Sequence, residues 1–410
     1  MTISDKTLYY FTASYPYGFG EQWKKNELDV FSGFFKKIIV VPLSYEGNLN
    51  PKPVPGNVVV MKPILAKPFS KPDYLFFFIA FPFSGVLSLM VKELIQSGSW
   101  YNWLKFKAWF GTSLLIRNLF RNKFFKDLNG ENKGDILYFF WGTGLSHSLL
   151  FLKKNNFSKI VVRFHGVDLY EARHASGYIP YRAEQLKKLD LAAMISNQGR
   201  TYIYDRYPAI RFTAEVYRLG CLSKGLSRSS EDGVFRIVTC SAVVKGKRLA
   251  ILSKALALID RPVIWKHIGD GELRSEIEIL NKELPPNIET RFIGKINSEK
   301  VLNEYVDQFV DLFINVSDSE GVPVSIMEAF SAGIPVLATD VGGTSEIVNS
   351  AVGTLIKADL TPVELMEEIK RFMDKDKASV KQMREKCFEQ YMENCNAGIW
   401  ANRMAENFLT

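Results

Sequence analysis

The chain has 410 residues, 47% of them hydrophobic and 23% charged, with a formal net charge of +8. Its length exceeds what one hydrophobic core usually supports, so two domains of roughly 200 residues each are expected, and the balanced composition excludes a disordered or fibrous chain. Cys221, Cys240, Cys387 and Cys395 show neither CxxC nor Cys/His ligand spacing, which argues against a zinc site or a disulfide framework and for a reducing compartment.

A basic excess suits nucleic acid, an anionic membrane face or phosphate-bearing ligands. The absence of a zinc finger, an RNP-like strand or a basic region joined to heptads turns the reading away from nucleic acid. The first residues, MTISDKTLYYFTASY, lack the basic-then-apolar form of a signal peptide, so a cytoplasmic location is expected.

Apolar, β-rich runs at 7–13, 37–42, 57–61, 136–140 and 159–164 alternate with helical or loop segments, and a second set follows at 235–240, 263–268, 290–293, 312–316 and 336–339. Such alternation predicts two helix-covered, mostly parallel sheets. The polar stretch SKGLSRSSEDG at 223–233 predicts a linker between a domain at 1–222 and one at 234–384. The remaining residues to 410 read as amphipathic helices with Trp400, Met404 and Phe408 among their apolar positions.

One run, 74–91, carries 18 residues without a charge and reaches the shortest membrane-spanning length, but Pro82 and Ser84-Gly85 interrupt it, so a span is not predicted. After it, Lys92, Lys105, Lys107, Arg117, Arg121, Lys123 and Lys126 intersperse with Trp100, Trp103, Phe106, Trp109, Phe110 and Phe120. Basic and aromatic residues in helical segments suit contact with anionic lipid, with 117, 121 and 123 as the expected basic positions.

Residue types able to bind a ligand gather at strand ends. VVRFHGVDLY (161–170) puts His165 and Asp168 just past a strand, where ligands of open α/β sheets collect, and Arg163 is expected to form a local ion pair. FRIVTCSAVVKGKRLAIL (235–252) reads as strand, loop and helix, with Lys247 near the helix start where a lysine can hold phosphate as a point charge. Glycines in HIGDGEL (267–273), with Gly269, Gly271 and Leu273, and in FIGKI (292–296), with Ile293 and Gly294, permit close backbone approach. In VSDSEGVPVSIMEAFSAGIPVLATDVGGTSEIV (316–348), capping residues, Gly321 and Pro323 predict a helix beginning near Val322. Its free N–H groups suit an anion. Glu320 and Glu328 flank that start, roughly two turns or about 12 Å apart if the segment is helical.

The run Glu320-x7-Glu328, Ala-Gly-Ile-Pro-Val, Gly-Gly-x-x-Glu closely resembles the signature of retaining glycosyltransferases of family 4. That resemblance implies the GT-B fold: two Rossmann-like α/β domains whose parallel sheets face a cleft, with the C-terminal helix (about 385–410) crossing back to the N-terminal domain. It also implies that 1–222 binds the acceptor and 234–384 the nucleotide sugar. Glu320 would contact the transferred sugar, Glu328 the ribose, and the amides at Gly321, Val322 and Pro323's turn the diphosphate. Lys247 would hold the diphosphate, His165 would lie near the reaction centre, and Ile293-Gly294 would read the base. Where the family carries an arginine early in the loop after the second domain's strand at 235–240, this chain has Ser241-Ala242; Arg248 or Lys245 is expected to compensate. Gly18 and Gly20, in SYPYGFGE, and Trp141, in WGTG, are expected to line the acceptor side with Asp168.

The implied reaction is metal-independent transfer of a hexose-type sugar, from a UDP-sugar in preference to a GDP-sugar and with no cofactor, to a saccharide or polyprenyl-linked saccharide at the membrane's inner face, as in surface-polysaccharide assembly. Stabilising charge on the leaving diphosphate should dominate catalysis. A nucleotide-sugar-binding protein without catalysis, and an epimerase or inverting transferase on the same fold, are the competing readings.

Overall fold

A computed structural model describes residues 3–18, 21, 23–45, 47, 49–65, 86–130 and 134–410. The chain divides into two units, Met1–Tyr217 with Ala401–Thr410, and Arg218–Trp400. In the first, β1 (Ser4–Thr12), β2 (Phe35–Pro42), β3 (Val58–Val60), β4 (Asp135–Phe139), β5 (Phe157–Phe164), β6 (Leu191–Met194) and β7 (Thr213–Val216) form a sheet of order β3-β2-β1-β4-β5-β6-β7. Every pairing in it is parallel. The central strands are buried on both faces, so they read as continuous apolar runs. Two of their rings, Phe11 and Phe139, stack with 4.2 Å between centroids, and Phe125 from the helix Lys123–Gly130 stacks on Phe11 in turn.

The second unit holds β8 (Phe235–Cys240), β9 (Val263–Ile268), β10 (Ile288–Gly294), β11 (Leu312–Asn315), β12 (Val336–Thr339) and β13 (Gly353–Ile356), all parallel, in the order β10-β9-β8-β11-β12-β13. Each sheet therefore reverses its winding once, between β1 and β4 in the first unit and between β8 and β11 in the second. At such a switch point neighbouring crossovers leave in opposite directions and expose the carboxyl ends of both strands.

Strands β8, β9 and β12 match the expected runs residue for residue. β6, β7 and β13 were not among those expected. The polar segment at 223–233 belongs to the second unit, where the Ser227 amide donates to Ala332 O (2.9 Å) and the Ser230 amide to Asp311 Oδ1 (2.8 Å). The final helix, Ala397–Leu409, brings Ala401–Thr410 back into the first unit, where Met404 is fully buried and Phe408 packs 5.3 Å from Phe31 and 5.2 Å from Tyr138.

The uncharged run at 74–91 lies outside the described residues up to 85; its end continues into the helix Leu87–Gln96. Among the described residues no helix is long and apolar enough to cross a membrane. The basic and aromatic stretch after it separates into two populations. Trp100, Tyr101 and Trp103 are 67%, 71% and 69% exposed, whereas Trp109 is 3% exposed and donates its indole N–H to Met90 O at 3.0 Å. Arg117 is also interior, at 4% exposure, so the expectation that it faces lipid is corrected: its place in the helix Trp103–Arg121 turns it inward, while Arg121 and Lys123 stay exposed.

In the second core, Trp265 is fully buried and donates to Thr239 Oγ1 (2.9 Å), which in turn meets His267 Nδ1 (2.8 Å). Removing so large a buried ring leaves a cavity and takes one hydrogen-bond donor from the Thr239 hydroxyl, which keeps its contact with His267. Trp265→Ala is expected to lower unfolding free energy by about 3–5 kcal/mol in urea denaturation; a loss below about 1 kcal/mol would show that this layer is not part of the core.

Candidate functional site

The loop leaving β8 and the loop leaving β11 meet at the second sheet's switch point. The 3-10 turn Lys245–Lys247 follows the first, and Gly246 O accepts the Asp318 amide at 2.9 Å, tying the two loops together. Lys247 Nζ then donates to Glu320 Oε1 at 2.6 Å, and Asn315 Nδ2, at the end of β11, donates to the same oxygen at 3.2 Å. Both members of the ion pair remain partly accessible.

Helix formation begins later than the sequence suggests. Pro323 is the N-cap, with φ −69° and ψ 115°, and the helix runs Val324–Ser331. Glu320, Gly321 and Val322 are therefore loop rather than first turn, bent at Gly321 and Val322, and no side chain among the described residues caps the helix. The amide N–H groups of Gly321 and Val322 have no acceptor among the described residues. They lie next in sequence to the lysine-paired Glu320, an arrangement of donors and positive charge that fits a diphosphate.

Glycines hold this loop by letting backbone pack on backbone. Gly342 has φ +57°, and a Cβ there would stand 2.1 Å from Glu320 O; at Gly343 it would stand 2.7 Å from Gly321 O. The Gly343 amide donates to Gly321 O at 2.6 Å. Gly269 (φ +148°) and Gly271 play the same part for the β8 loop, since their Cβ atoms would meet Ser241 O at 1.8 Å and Val243 O at 2.4 Å. Ser241 donates its amide to Ile268 O and Leu273 its amide to Val243 O, while Gly294 (φ +80°) pairs with Gly269 and Ile293 is exposed.

Arg248 does not offer a vacant fork in place of the expected arginine. Held at φ +50°, it donates through Nε to Val316 O (2.6 Å), through Nη2 to Ser317 O (3.4 Å) and through Nη1 to Ala358 O, so it fastens the loops instead.

Glu328 sits on the helix, 8% exposed, and its carboxyl has neither a hydrogen-bond donor nor a counter-charge among the described residues. Burial pushes its pKa up to about 8. Glu346, from the Gly-Gly-x-x-Glu turn, is instead paired with Arg218 Nη2 at 2.9 Å.

In the first unit, His165 ends β5 as the N-cap of the short helix Gly166–Leu169. Its ring lies 4.3 Å from Trp141 and 4.8 Å from Phe140, and neither ring nitrogen has a hydrogen-bond partner among the described residues. Burial holds its pKa below the usual histidine range. Asp168 orients this corner, accepting from the His165 amide and the Gly142 amide, each at 2.5 Å. Gly18 has φ +71°; Gly20 lies outside the described residues.

A residue that the sequence did not single out organises this end of the first sheet. Glu21, buried and at φ +64°, accepts the amides of Ser14 and Tyr15 at 2.9 Å each, the Trp141 indole N–H and the Lys24 ammonium. Lys24 is fully buried, lies 3.8 Å from the Phe140 ring centroid, and is lowered to about 8 by burial against the pull of Glu21. Behind it, Arg163 pairs with Glu27, which also accepts from Tyr10 Oη at 3.0 Å. The expected local ion pair of Arg163 is thus corrected: its partner Glu27 lies 136 residues away, and Trp141 lies 120 residues from Glu21, so local sequence held no signal for either of these two pairings.

Residues 228–390 match the family described as glycosyl transferases group 1. That stretch is similar to a group 1 glycosyltransferase domain. Over 115 residues it is 33% identical to the O-antigen biosynthesis glycosyltransferase WbnH of Escherichia coli, a stretch covering 28% of this chain and 31% of that one. The chain thus spans about a third of the length of that relative. Among solved structures, sucrose-phosphate synthase from Thermosynechococcus elongatus aligns over 98% of both chains at TM-score 0.68 and 15% identity. Anabaena HepE, in complex with UDP and glucose, aligns over 99% of this chain and 100% of its own at TM-score 0.63 and 15% identity. At that identity the likeness shows the fold, which is GT-B. The matched domain contains Lys247, Glu320 and Glu328.

The buried carboxyl gives this domain a pH signature. The folded state holds the Glu328 proton more tightly than the unfolded chain does, so its contribution to stability falls as pH rises from the ordinary glutamate range to about 8. In the ligand-free protein, Glu328→Gln should gain stability relative to wild type between pH 5 and pH 8, by on the order of 1 kcal/mol or more. Urea denaturation at both pH values checks this; a difference that does not change with pH would overturn the assignment of Glu328 as a dry carboxyl.

Proposed function

We propose that the protein is a retaining glycosyltransferase that moves a hexose-type sugar from a nucleoside-diphosphate sugar, UDP in preference to GDP, to a hydroxyl of a saccharide or lipid-linked saccharide. The observation that carries the proposal is the placement of Lys247 and the acceptor-free amides of Gly321 and Val322 at the switch point. Breaking a sugar–diphosphate bond builds negative charge on the leaving phosphate, and fixed donors there lower the barrier without having to reorganise. The Lys247–Glu320 pair keeps the ammonium in position before the donor arrives. Glu320 is then the carboxylate beside the transferred sugar, and Glu328 the acceptor for ribose hydroxyls.

Ribose fits Glu328 for a physical reason. A buried carboxyl without a partner gains from ligand hydroxyls, which donate to its charged form and offset the desolvation that burial imposes. His165 and Trp141, with Gly18, are proposed to serve the acceptor in the first unit. Metal independence belongs to the same proposal, since cationic and backbone donors take up the leaving-group charge. The WbnH name points to O-antigen biosynthesis for that relative, and we propose surface-polysaccharide assembly here.

Glu320→Gln and Lys247→Ala should each lower turnover with a UDP-sugar by a hundredfold or more, with product formed at unchanged rate when a chelator is added to wild type. Wild-type turnover in both variants would remove the site assignment, and product of inverted anomeric configuration would remove the retaining reading.

A membrane-facing acceptor is supported by the exposed ridge of Ile95, Trp100, Tyr101, Trp103 and Leu104, bordered by Lys92 and Lys107. Aromatic rings with neighbouring lysines suit the interface of an anionic bilayer. The double change Trp100→Ser with Trp103→Ser should reduce flotation with anionic liposomes at least fivefold, while neutral liposomes bind wild type weakly. Undiminished flotation in that variant would place membrane contact elsewhere.

A further inference from the structure

The second unit has a cavity of about 570 Å3 at the opposite edge of its sheet from Lys247 and Glu320. Its lining includes Phe235, the first residue of β8, and Asp311 and Pro335, which immediately precede β11 and β12. A six-residue strand spans about 20 Å, so an occupant here cannot touch the donor site. The volume is that of a site for a small organic ligand.

Two kinds of surface meet in it. One wall is apolar: Leu226, Val234, Phe235, Phe372, Val380 and Met383. Leu226 is 57% exposed although large and aliphatic, and Met383 is an adaptable side chain able to follow a flexible hydrocarbon. The other surface is cationic. Lys377 and Lys381, one turn apart on the helix Lys377–Gln390, line the cavity and make no ion pair among the described residues. Arg384 follows on the same helix, with Nη1 bonded to Val310 O at 2.9 Å and Nη2 buried without an acceptor.

Cavity acidic groups do not neutralise this face. Asp311 is the carboxylate whose charge acts on Arg384, yet its oxygens already accept the Ser230 amide (2.8 Å), the Ser230 hydroxyl and the Arg236 amide (2.8 Å). Glu231 and Glu385 are exposed at the rim. An apolar wall beside cations held one helical turn apart is complementary to an amphiphile with an anionic head.

We propose that this cavity is a second ligand site, separate from the proposed donor site, and that it takes a single-chain amphiphile bearing a phosphate or carboxylate head. The hydrocarbon lies against Phe235, Phe372 and Met383, and the head meets Lys377, Lys381 and Arg384. Part of the wall is the segment 226–234 of the second unit, so an occupied cavity stiffens that segment against the sheet.

The test is titration calorimetry of the full chain with dodecyl phosphate below its micellar concentration, with dodecanol, inorganic phosphate and dodecanoate as separate arms. One saturable site for dodecyl phosphate is expected, with dodecanol and inorganic phosphate at least tenfold weaker; the dodecanoate arm distinguishes a phosphate-selective head site from one for any anion. Lys377→Glu with Lys381→Glu, both exposed and outside the donor site, should weaken binding tenfold or more, and Met383→Trp should block it by filling the cavity. Saturating UDP should leave the affinity unchanged. Absence of saturable binding, competition by UDP, or binding that survives both the charge reversal and Met383→Trp would each overturn the proposal.

Discussion

The reversal of winding between β8 and β11 is the constraint on which the candidate site depends. Parallel strands need long crossovers, and where two adjacent crossovers leave on opposite faces nothing covers the carboxyl ends of the strands between them. Into that gap the chain sends Lys247 from one side and Glu320 from the other, 2.6 Å apart. Neither charge would be well placed alone. Under the proposed function, a lysine that is to meet a phosphate needs an anionic neighbour to keep its flexible stem extended, and a carboxylate beside a lysine has every reason to stay ordered. In this way a local ion pair, of small net worth at a partly exposed site, acts as a spacer that keeps a binding surface open in the right shape.

Glycine supplies the mechanical half of that arrangement. At Gly342 and Gly269 both the positive φ and the contact distance forbid a side chain, and the atom that a Cβ would strike is a carbonyl of a site loop, Glu320 O in one case and Ser241 O in the other. The usual reason given for glycines near a nucleotide is close approach of the ligand. Here the first demand comes from the protein itself: two turns must lie directly on the loops that carry the donors. An alanine at either place would move the backbone bearing the functional group rather than merely crowd the ligand, so precision of the site and absence of side chains are one requirement.

Much of this was legible in the sequence where local chemistry decides structure. β8, β9 and β12 are short apolar runs bounded by breakers, and strands buried on both faces leave that mark. β6 escaped because Leu-Ala-Ala-Met consists of good helix formers, and only its place between β5 and β7 makes it a strand. Arg117 escaped for a related reason: a charge in an amphipathic helix reads as surface, and its burial depends on the packing around the helix. The delay of the helix start to Val324 follows from Pro323, whose ψ of 115° is extended, a conformation that leaves Glu320–Val322 as loop. Glu21 was the least legible, since a glutamate after a glycine-rich turn looks solvated, and its partner Trp141 lies 120 residues away.

Two glutamates eight positions apart were the most telling pattern in the chain, yet the structure gives them opposite electrostatics. Glu320 has a cation and an amide on one oxygen; Glu328 has no donor among the described residues, and burial lifts its pKa to about 8. The difference sorts the ligand groups each can serve. At neutral pH Glu328 favours its protonated form, and what draws it toward the charged form is a ligand that donates hydrogen bonds without bringing a second negative charge into the dry pocket. Vicinal hydroxyls do this and a phosphate does not. Glu320, by contrast, shares its lysine with whatever anion binds beside it, so it tolerates a phosphate nearby as long as Lys247 stays between the two. Within the proposed function the order of the donor along the loop and helix follows from these environments: charge at the loop with Lys247, hydroxyls at the buried helix position. A swap of the two roles would strand a phosphate against an unpaired carboxyl, at a desolvation cost that no group in the pocket offsets.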